Sequence, residues 1–452
     1  MTRKEDKWLS RQAEKVRKAD WIDPALYVKY GVKRGLRNDN GTGVPVGLTT
    51  IGNVHGYVMD EGERKAVPGE LYYRGINVRD IVAADKREHR FGYEETAYLL
   101  LFGELPKVRE LVNWKNMIGG YRKLSDGFKE NAIMRNPPKD IMNALARAVL
   151  FAYAFDPEGN PDDLSLETCL EQSIDLIGSI PTIAAYAYQA KAHYHDGASL
   201  MIRNPDARMS TSENLLMLIR ESGKYTKLEA ETLDLALILH AEHGGGNNSS
   251  FTTHVVTSAH SDIYSSVAAS ILALKGSRHG GANLRVMRQM SELKGAVKKW
   301  DRDGDVADYL RKVVDRKAGD RTGLIYGLGH AVYTVSDPRA QMLKAKAEAL
   351  AREKGREDEM LLFERIEKLG PEIIKSRHPR AEEVCANVDL YSGFVYDMLG
   401  IPQELYTPLF AVARCVSWCA HRMEELVNGG PIIRPAYKPI FHPRKYVSLA
   451  ER

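Results

Sequence analysis

The stretch LYTPLFAVARCVSWCAHRMEELVNGG, residues 405–430, indicates the fold class of this chain. Its apolar stripe follows the period of an α-helix and includes Val412, Cys415, Cys419 and Met423. The two glycines that close the stretch are a typical helix stop. We therefore predict one long helix here, in a chain built mainly from helices.

The helical period recurs elsewhere in the chain. IMNALARAVLFAYAF (residues 141–155) is apolar on nearly every face and predicts a buried helix, and SSVAASILALKG (residues 265–276) is similar. AQMLKAKAEALAREKG (residues 340–355) predicts an amphipathic surface helix. Strand patterns are weak and confined to GLTTIGNVHGYVMD (residues 47–60) and ELYYRGINV (residues 70–78). The pattern favours a mostly α protein.

The composition argues against several classes of protein. The 64 Lys and Arg residues nearly balance the 60 Asp and Glu residues, so the basic excess of a nucleic-acid-binding protein is missing. No apolar run reaches the roughly 18 residues of a membrane helix. The four cysteines form no CxxC motif and are expected to be small buried hydrophobes in a reducing compartment. The first twenty residues predict a polar helix without the apolar core of a signal peptide, so we expect a cytoplasmic protein.

Four segments place polar side chains beside glycines, which let a backbone approach a ligand closely. In LHAEHGGGNNSS (residues 239–250), His243 precedes three glycines, and its spacing from His240 does not match a zinc-protease motif. In KGSRHGGANLRVM (residues 275–287), His279 lies at a predicted helix entry, where a neutral imidazole can donate a hydrogen bond. Each histidine, taken alone, also suits a structural role.

The other two segments carry a histidine, an arginine and an acid. In YGLGHAVYTVSDPRAQM (residues 326–342), His330 follows a Gly-Leu-Gly turn, and Arg339 opens a helix where its guanidinium can grip a carboxylate. In CANVDLYSGFVYDMLGIP (residues 385–402), Asp389 has apolar neighbours, which disfavour a charged carboxylate unless it is paired or functional. The alternative for Asp389 is a helix cap.

Two arginines near the end of the chain belong with these segments. Arg414 lies in the middle of the long predicted helix and shares a face with Trp418 and His421. A cation at such a position is costly without an anionic partner. Arg434 follows in the Pro-rich segment PIIRPAY. Each arginine, taken singly, also suits a structural ion pair.

In this order, HAEHGGGN, KGSRHGGAN, GLGHAVYTVSDPRA, NVDLYSG and IIRP resemble the motifs of the citrate synthase family. ELYYRGINV and YEETAYLLLFGELP resemble the family's N-terminal region. The resemblance implies an all-α homodimer whose subunit has a large domain and a smaller inserted domain that closes over substrate. It implies a large domain made of residues 1–279 and 394–452, and a small domain of residues 280–393.

The resemblance also implies the reaction, which condenses acetyl-CoA with oxaloacetate and water to give citrate and CoA. It implies that His279 donates to the thioester oxygen, Asp389 removes the α-proton and His330 polarises the oxaloacetate ketone. It implies no metal and no cofactor other than the CoA substrate. The oxaloacetate-binding residues that it implies are His243, Arg339, Arg414 and Arg434, the last of which reaches the neighbouring subunit's site.

The expected CoA contacts are less regular, because the chain departs from the family pattern there. Basic residues that help to hold the CoA phosphates in the family often lie where Thr334 and Val335 stand here. Glutamate often follows the histidine that matches His243, whereas this chain has Gly244. We assign the CoA contacts to Arg37, Gly327, Gly329, Lys375 and Arg380.

Three alternatives stay open from the sequence. The nearest is 2-methylcitrate synthase, which uses propionyl-CoA, because a pocket distinguishes one methylene by only about 1–3 kcal/mol. The second is a protein that binds CoA esters without turnover, against which the complete trio of His279, His330 and Asp389 argues. The third is a metal protein, although its candidate ligands lack a usable spacing. Those candidates are His193, His195, His240 and His243.

Overall fold

The computed structural model of the protein describes residues 3–61, 63–156, 159–378 and 383–452. For residues 3–6 it describes the backbone alone. Helices make up most of these residues, so the predicted helical class is confirmed. The chain divides into two compact units, Met1–Leu48 and Thr49–Arg452. Among the described residues, no helix combines the length and apolar character needed to span a bilayer.

The first unit contains two helices, α1 (Arg3–Asp20) and α2 (Pro24–Lys29), followed by a 3₁₀ turn at Arg34–Leu36. The helix α1 agrees with the polar helix predicted for the first twenty residues. The start of α2 is fixed by Asp23, whose carboxylate accepts a hydrogen bond from the amide of Ala25 at 2.9 Å.

The second unit opens with a β-hairpin. Strand β1 (Gly52–Asp60) pairs antiparallel with β2 (Glu63–Tyr73), and β3 (Ile76–Asn77) adds to the other edge of β2. Both predicted strand regions are therefore confirmed. The strand β2 begins earlier than the predicted residue 70, because its first half, ERKAVPG, lacks the apolar alternation by which strands are recognised.

Helices form the rest of the second unit. In chain order they are α3 (Val78–Glu88), α4 (Tyr93–Phe102), α5 (Val108–Tyr121), α6 (Ile141–Ala152), α7 (Leu166–Asp196), α8 (Thr211–Ile219), α9 (Lys227–His240), α10 (Asn248–Ser258), α11 (Ile263–Lys275), α12 (Ala282–Ala296), α13 (Asp303–Val314), α14 (Pro338–Lys354), α15 (Glu357–Arg377), α16 (Val388–Met398) and α17 (Tyr406–Asn428). Shorter helical turns lie at Lys129–Met134, Tyr153–Phe155, Gln403–Leu405 and Leu449–Glu451.

The long predicted helix is α17, and it lies at the centre of the core. It packs against α4, α7, α10 and α11. Val412, Cys415 and Cys419 are at most 1 % exposed, whereas Met423 is only partly buried near the end of the helix. The chain leaves α17 at Gly429, whose φ of +52° suits glycine. The three other helices predicted from the apolar period correspond to α6, α11 and α14.

The helices α12 to α16 pack largely on one another. The helix α12 contacts α16, α13 contacts α15, and α14 contacts both α15 and α16. Both α14 and α16 also contact α9. These helices span residues 282–398, so α16 crosses the end of the predicted small domain, residues 280–393.

Two of these helices begin at caps that fix residues of interest. The carboxylate of Asp337 accepts from the amide of Arg339 at 2.9 Å at the start of α14. The side chain of Asn387 accepts from the amide of Asp389 at 2.9 Å at the start of α16. Because each cap binds the second residue of its helix, Arg339 and Asp389 are held at helix N-termini.

Candidate active site

Three of the histidines singled out from the sequence, His243, His279 and His330, come together with Arg339 and Arg414 in the second unit. His243 lies in the loop after α9, His279 in the turn between α11 and α12, and His330 in the segment before α14. Burial lowers the pKa of the His243 imidazole well below its ordinary value. The charges of Arg339, His330, Arg414 and His279 lower it further.

The β-hairpin packs against the segments that carry His243 and His330. A Cβ atom at Gly52 would lie 2.6 Å from the side chain of Glu242, and one at Gly69 would lie 2.1 Å from the carbonyl oxygen of Ser336. The amide of Gly69 donates to that same oxygen at 3.1 Å. Only glycine permits these approaches, so the hairpin fixes both segments from one side.

His330 has a defined tautomer. Its Nδ1 accepts hydrogen bonds from the amides of Val332 at 3.1 Å and Tyr333 at 3.0 Å. A neutral imidazole that accepts at Nδ1 carries its proton on Nε2. The ring also stacks on Tyr333, with centroids 4.8 Å apart, and contacts the ring of His243 edge-on at 5.1 Å. In its neutral form, His330 would therefore donate through Nε2.

His279 is also held neutral. Burial, with a contribution from the charge of Arg414, lowers its pKa to about 4. Its Nε2 lies 3.2 Å from the hydroxyl of Ser249, and the indole of Trp418 donates to that same hydroxyl at 3.2 Å. Ser249 was not predicted, because nothing in the sequence distinguishes it from the adjacent Ser250. Both serines are fully buried in the structure.

Asp389 is half-buried at the N-terminus of α16. Burial raises the pKa of its carboxyl group to about 6, with Arg339 lowering it and Asp337 raising it. The carboxylate is therefore a stronger base than an exposed aspartate, while still mostly deprotonated at neutral pH.

A short backbone pairing joins the segment of His330 to the start of α16. The amide of Gly329 donates to the carbonyl of Cys385 at 2.8 Å, and the amide of Asn387 donates to the carbonyl of Gly327 at 2.9 Å. Gly327 has a φ of +86°, and a Cβ atom there would lie 2.8 Å from Leu390. The glycines at 327 and 329 thus serve this pairing, and their predicted contact with CoA stays a prediction.

Arg414 is a fully buried cation. Its Nε donates to the carbonyl of His240 at 2.7 Å, whereas Nη1 and Nη2 are buried without a hydrogen-bond partner. Burial lowers its pKa to about 10, against the opposing charge of Glu242. A guanidinium with two free nitrogens in a buried position is suited to bind a carboxylate with two parallel hydrogen bonds.

Arg339 is 4 % exposed and has an acidic partner of its own. Its Nε and Nη2 donate to the two carboxylate oxygens of Asp337, at 3.0 and 2.7 Å. Burial disfavours the cation, but Asp337 outweighs it and raises the pKa of Arg339. The sequence did not single out Asp337 as a partner, and this pairing fixes Arg339 in place before any ligand binds.

Arg434 is exposed and is not among the residues that gather around His243. The neighbouring Ile433 amide donates to the hydroxyl of Ser258 at 3.1 Å, at the end of α10. Ser249 lies near the start of the same helix, roughly 13 Å from Ser258 along the helix axis at a rise of 1.5 Å per residue.

The remaining predicted CoA contacts come from different parts of the chain. Arg37 lies in the first unit, where its Nη1 donates to the carbonyl of Gly41 at 3.2 Å. Lys375 is exposed on α15. Arg380 lies outside the described residues. These assignments stay predictions.

The proposed alternative of a four-histidine metal site is wrong for the described part of the chain. His193 and His195 are exposed at the end of α7, where they bond to the carbonyls of Ala198 and Pro137. His240 is fully buried. Among the described residues, these histidines do not form a group with metal-ligating distances.

Comparison with known proteins gives consistent matches along the chain. The family model described as "Citrate synthase, C-terminal domain" matches residues 39–436. A citrate synthase of Haloferax volcanii is 34 % identical over 369 residues, covering 81 % of this chain and 88 % of the relative. A 2-methylcitrate synthase of Shewanella oneidensis is 30 % identical over 390 residues, covering 84 % and 92 %.

A solved structure extends this similarity to the fold. The citrate synthase of Thermoplasma acidophilum, in a ternary complex with carboxymethyl coenzyme A and oxaloacetate, superimposes with a TM-score of 0.73. The two sequences are 27 % identical, and the match covers 93 % of this chain and 99 % of that one.

Proposed function

Because this chain belongs to the citrate synthase family, we propose that it condenses acetyl-CoA with oxaloacetate and water to give citrate and CoA. The observation that carries the proposal is the buried Arg414 guanidinium with two unpartnered nitrogens, which calls for an anionic ligand. Oxaloacetate, a dicarboxylate, meets that requirement, and the similar Thermoplasma enzyme binds it in its complex.

The first step removes a proton from the methyl group of acetyl-CoA. We assign Asp389 as the base, since the raised pKa of its carboxyl group increases its affinity for the proton. As the proton leaves, negative charge develops on the thioester oxygen. A neutral His279 donates a hydrogen bond to that oxygen, and one such donor is worth about 3–4 kcal/mol in the transition state.

The second step forms the carbon–carbon bond. The enol carbon attacks the ketone of oxaloacetate, and the ketone oxygen gains the electron pair and then a proton. We assign His330 to this oxygen, because the amides of Val332 and Tyr333 bind its Nδ1 and leave the proton on Nε2. Water then adds to the citryl thioester, and the CoA thiol leaves with citrate as the other product.

The arginines hold oxaloacetate for this reaction. Arg339 and Arg414 each bind a carboxylate in the proposal, with His243 beside them, and this fixed placement contributes to the rate. We propose that residues 280–393 form a small domain that closes over the substrates. The packing of α12 to α16 on one another supports it. The reaction in this proposal uses no cofactor other than the CoA substrate.

We propose that the protein is a homodimer and that Arg434 reaches the site of the neighbouring subunit. Arg434 is exposed, and the adjacent Ile433 is bonded to Ser258, roughly 13 Å along α10 from Ser249. Both observations support a role outside its own site. In mixed dimers, an Arg434→Ala subunit and an Asp389→Asn subunit should together restore one active site. Mixed dimers as inactive as the parents would contradict the exchange.

The acyl group of the CoA substrate distinguishes two candidate functions. The Shewanella relative supports 2-methylcitrate synthase, which uses propionyl-CoA. We propose acetyl-CoA as the substrate, following the Haloferax and Thermoplasma enzymes. The ratio of kcat/KM for acetyl-CoA and propionyl-CoA decides between the two, and a larger value for propionyl-CoA would overturn our choice.

Product analysis tests the reaction itself. Purified protein with acetyl-CoA and oxaloacetate should form citrate and free CoA in equal amounts, identified by mass spectrometry. Binding of acetyl-CoA without either product would instead indicate a non-catalytic CoA-ester-binding protein. A cytoplasmic location is part of the proposal, and fractionation of the source cells would test it.

A further inference from the structure

Two histidines and a glutamate face one another where α10 meets α17, beside the loop that carries His243. The Nε2 of His254 lies 3.2 Å from the Nδ1 of His421. The Oε2 of Glu424 lies 3.7 Å from that same Nδ1, and the three atoms are all within 4.8 Å of one another. Two nitrogen ligands of a tetrahedral zinc ion are about 3.3 Å apart, given Zn–N bonds of about 2.0–2.1 Å. The spacing of the two imidazoles fits such an ion.

The other ring nitrogen of each histidine contacts a carboxylate. His254 Nδ1 is 2.7 Å from an oxygen of Glu425, and His421 Nε2 is 3.2 Å from an oxygen of Glu242. Metal-binding histidines usually donate their second N–H to such a group, which fixes the ring and increases the basicity of the ligating nitrogen. Both rings are thereby oriented with their remaining nitrogens toward Glu424.

The third ligand atom is buried and has no other bond. The Glu424 side chain is 9 % exposed, and its Oε2 has no hydrogen-bond partner. Its Oε1 is held by Thr50, whose amide donates at 2.6 Å. A carboxylate oxygen buried in this way calls for a cation or a proton. The fixed Oε1 leaves Oε2 directed at the two imidazoles.

A glycine lets the loop after His243 pack closely on both imidazoles. A Cβ atom at Gly245 would lie 3.2 Å from His421 Cε1, 3.5 Å from His254 Nε2 and 3.6 Å from His421 Nδ1. A larger residue would crowd both ligating nitrogens. Gly245 belongs to the glycine run that follows His243 in the chain.

The charges around the cluster favour a cation. Glu242, Glu424 and Glu425 bring three carboxylates to two imidazoles. Burial disfavours a charged His421, but Glu242 and Glu424 outweigh it and raise the pKa of His421 to about 9, so a bound ion would replace a proton on this ring. The charges of Arg74 and Arg414 also act on Glu424 and Glu242.

We propose that His254, His421 and Glu424 bind one divalent transition-metal ion, with Zn²⁺ the best match. Two imidazoles and one carboxylate are ligands that zinc accepts readily, and a solvent molecule completes four-coordination. The ion would join α10, which carries His254, to α17, which carries His421 and Glu424. The inference does not depend on the proposed reaction.

Zinc binding to the full-length protein tests this inference. After removal of metals with EDTA, wild-type protein should bind one Zn²⁺ per chain in calorimetry and should melt at a higher temperature with Zn²⁺ than with Mg²⁺. Co²⁺ in place of Zn²⁺ should give the visible absorption of a tetrahedral site. His254→Gln and Glu424→Gln should each weaken Zn²⁺ binding at least about tenfold, and Glu425→Gln about 10–100-fold.

The matched control is His193→Gln, which removes an exposed histidine on α7 and should leave Zn²⁺ binding unchanged. Circular dichroism of each variant establishes that it is folded. Wild-type binding no tighter than that of folded His254→Gln would overturn the proposal and leave only a hydrogen bond between two imidazoles. Equal loss in His193→Gln would also overturn it, because binding would then be unspecific.

Discussion

The side-chain amide of Asn387 donates a hydrogen bond to the carbonyl oxygen of Gly329 over 2.8 Å. The same side chain accepts from the amide of Asp389 through its Oδ1. One residue thus joins the segment that ends in His330 to the helix that begins with Asp389. The distance between the proposed base and the proposed ketone donor is set in part by this single amide.

We expect Asn387→Ala to lower kcat by about 100-fold, because a displacement of about 1 Å between reacting groups has an effect of that size. Steady-state kinetics with acetyl-CoA and oxaloacetate measure it. The control is Asn131→Ala, which removes an exposed asparagine that bonds to the carbonyl of Gly127. An unchanged kcat in folded Asn387→Ala would show that the backbone pairing alone holds the two segments.

Ser249 and Ser250 provide a matched pair of buried hydroxyl groups. Ser249 contacts His279, whereas the hydroxyl of Ser250 is buried without a hydrogen-bond partner. In our assignment the Ser249 hydroxyl orients the His279 ring and its proton. Ser249→Ala should lower kcat about 10–100-fold with little change in KM for oxaloacetate, while Ser250→Ala should behave like wild type. Equal kinetics of the two variants would exclude this role for Ser249.

Arg414 should lower the stability of the ligand-free protein, because its guanidinium is placed to bind substrate. Its two terminal nitrogens have no partner in the ligand-free protein, and a buried unpaired charge is destabilising. Arg414→Met should therefore melt at a temperature no lower than wild type, and oxaloacetate should raise the melting temperature of wild type but not that of Arg414→Met.

The control for this experiment is Arg422→Met, which removes another buried arginine of α17 that donates to Ser266 at 3.1 Å. It should keep the oxaloacetate-induced increase in melting temperature. The same increase in Arg414→Met would contradict the assignment of Arg414 to the substrate carboxylate.

The pKa of about 6 for Asp389 predicts a pH dependence. A base must be deprotonated to act, so kcat/KM should be constant above that pKa and fall about tenfold per pH unit below it. His279, with a pKa of about 4, stays neutral throughout this range and should add no second transition. A profile measured in buffers of constant ionic strength tests this. A flat profile from pH 8 to pH 5 would contradict the base assignment.

The sequence was sufficient to predict the helical class, with helices at α1, α6, α11, α14 and α17, and to mark the segments that carry the proposed site. The apolar period of residues 405–430 predicted α17, and glycines beside His243, His279, His330 and Asp389 marked segments that the fold brings near one another. These patterns lie within short segments, so they can be recognised in a single sequence.

The residues that the sequence did not reveal act through contacts between distant segments. Asp337 pairs with Arg339, Ser249 contacts His279, and Asn387 bonds to Gly329. Serine, asparagine and aspartate are common at helix starts. Asp337, Ser249 and Asn387 also lie at helix starts in this protein. Nothing local distinguishes such a residue from an ordinary cap, so its second contact is found only in three dimensions.

The most direct test of the account compares wild-type protein with Asp389→Asn in a thiol-release assay. Wild type should release CoA thiol from acetyl-CoA only when oxaloacetate is present. Asp389→Asn should release it at least about 1,000-fold more slowly, because the base is removed, while still binding oxaloacetate in calorimetry. Thiol release by Asp389→Asn near the wild-type rate, or none from wild type with either acetyl-CoA or propionyl-CoA, would contradict the account.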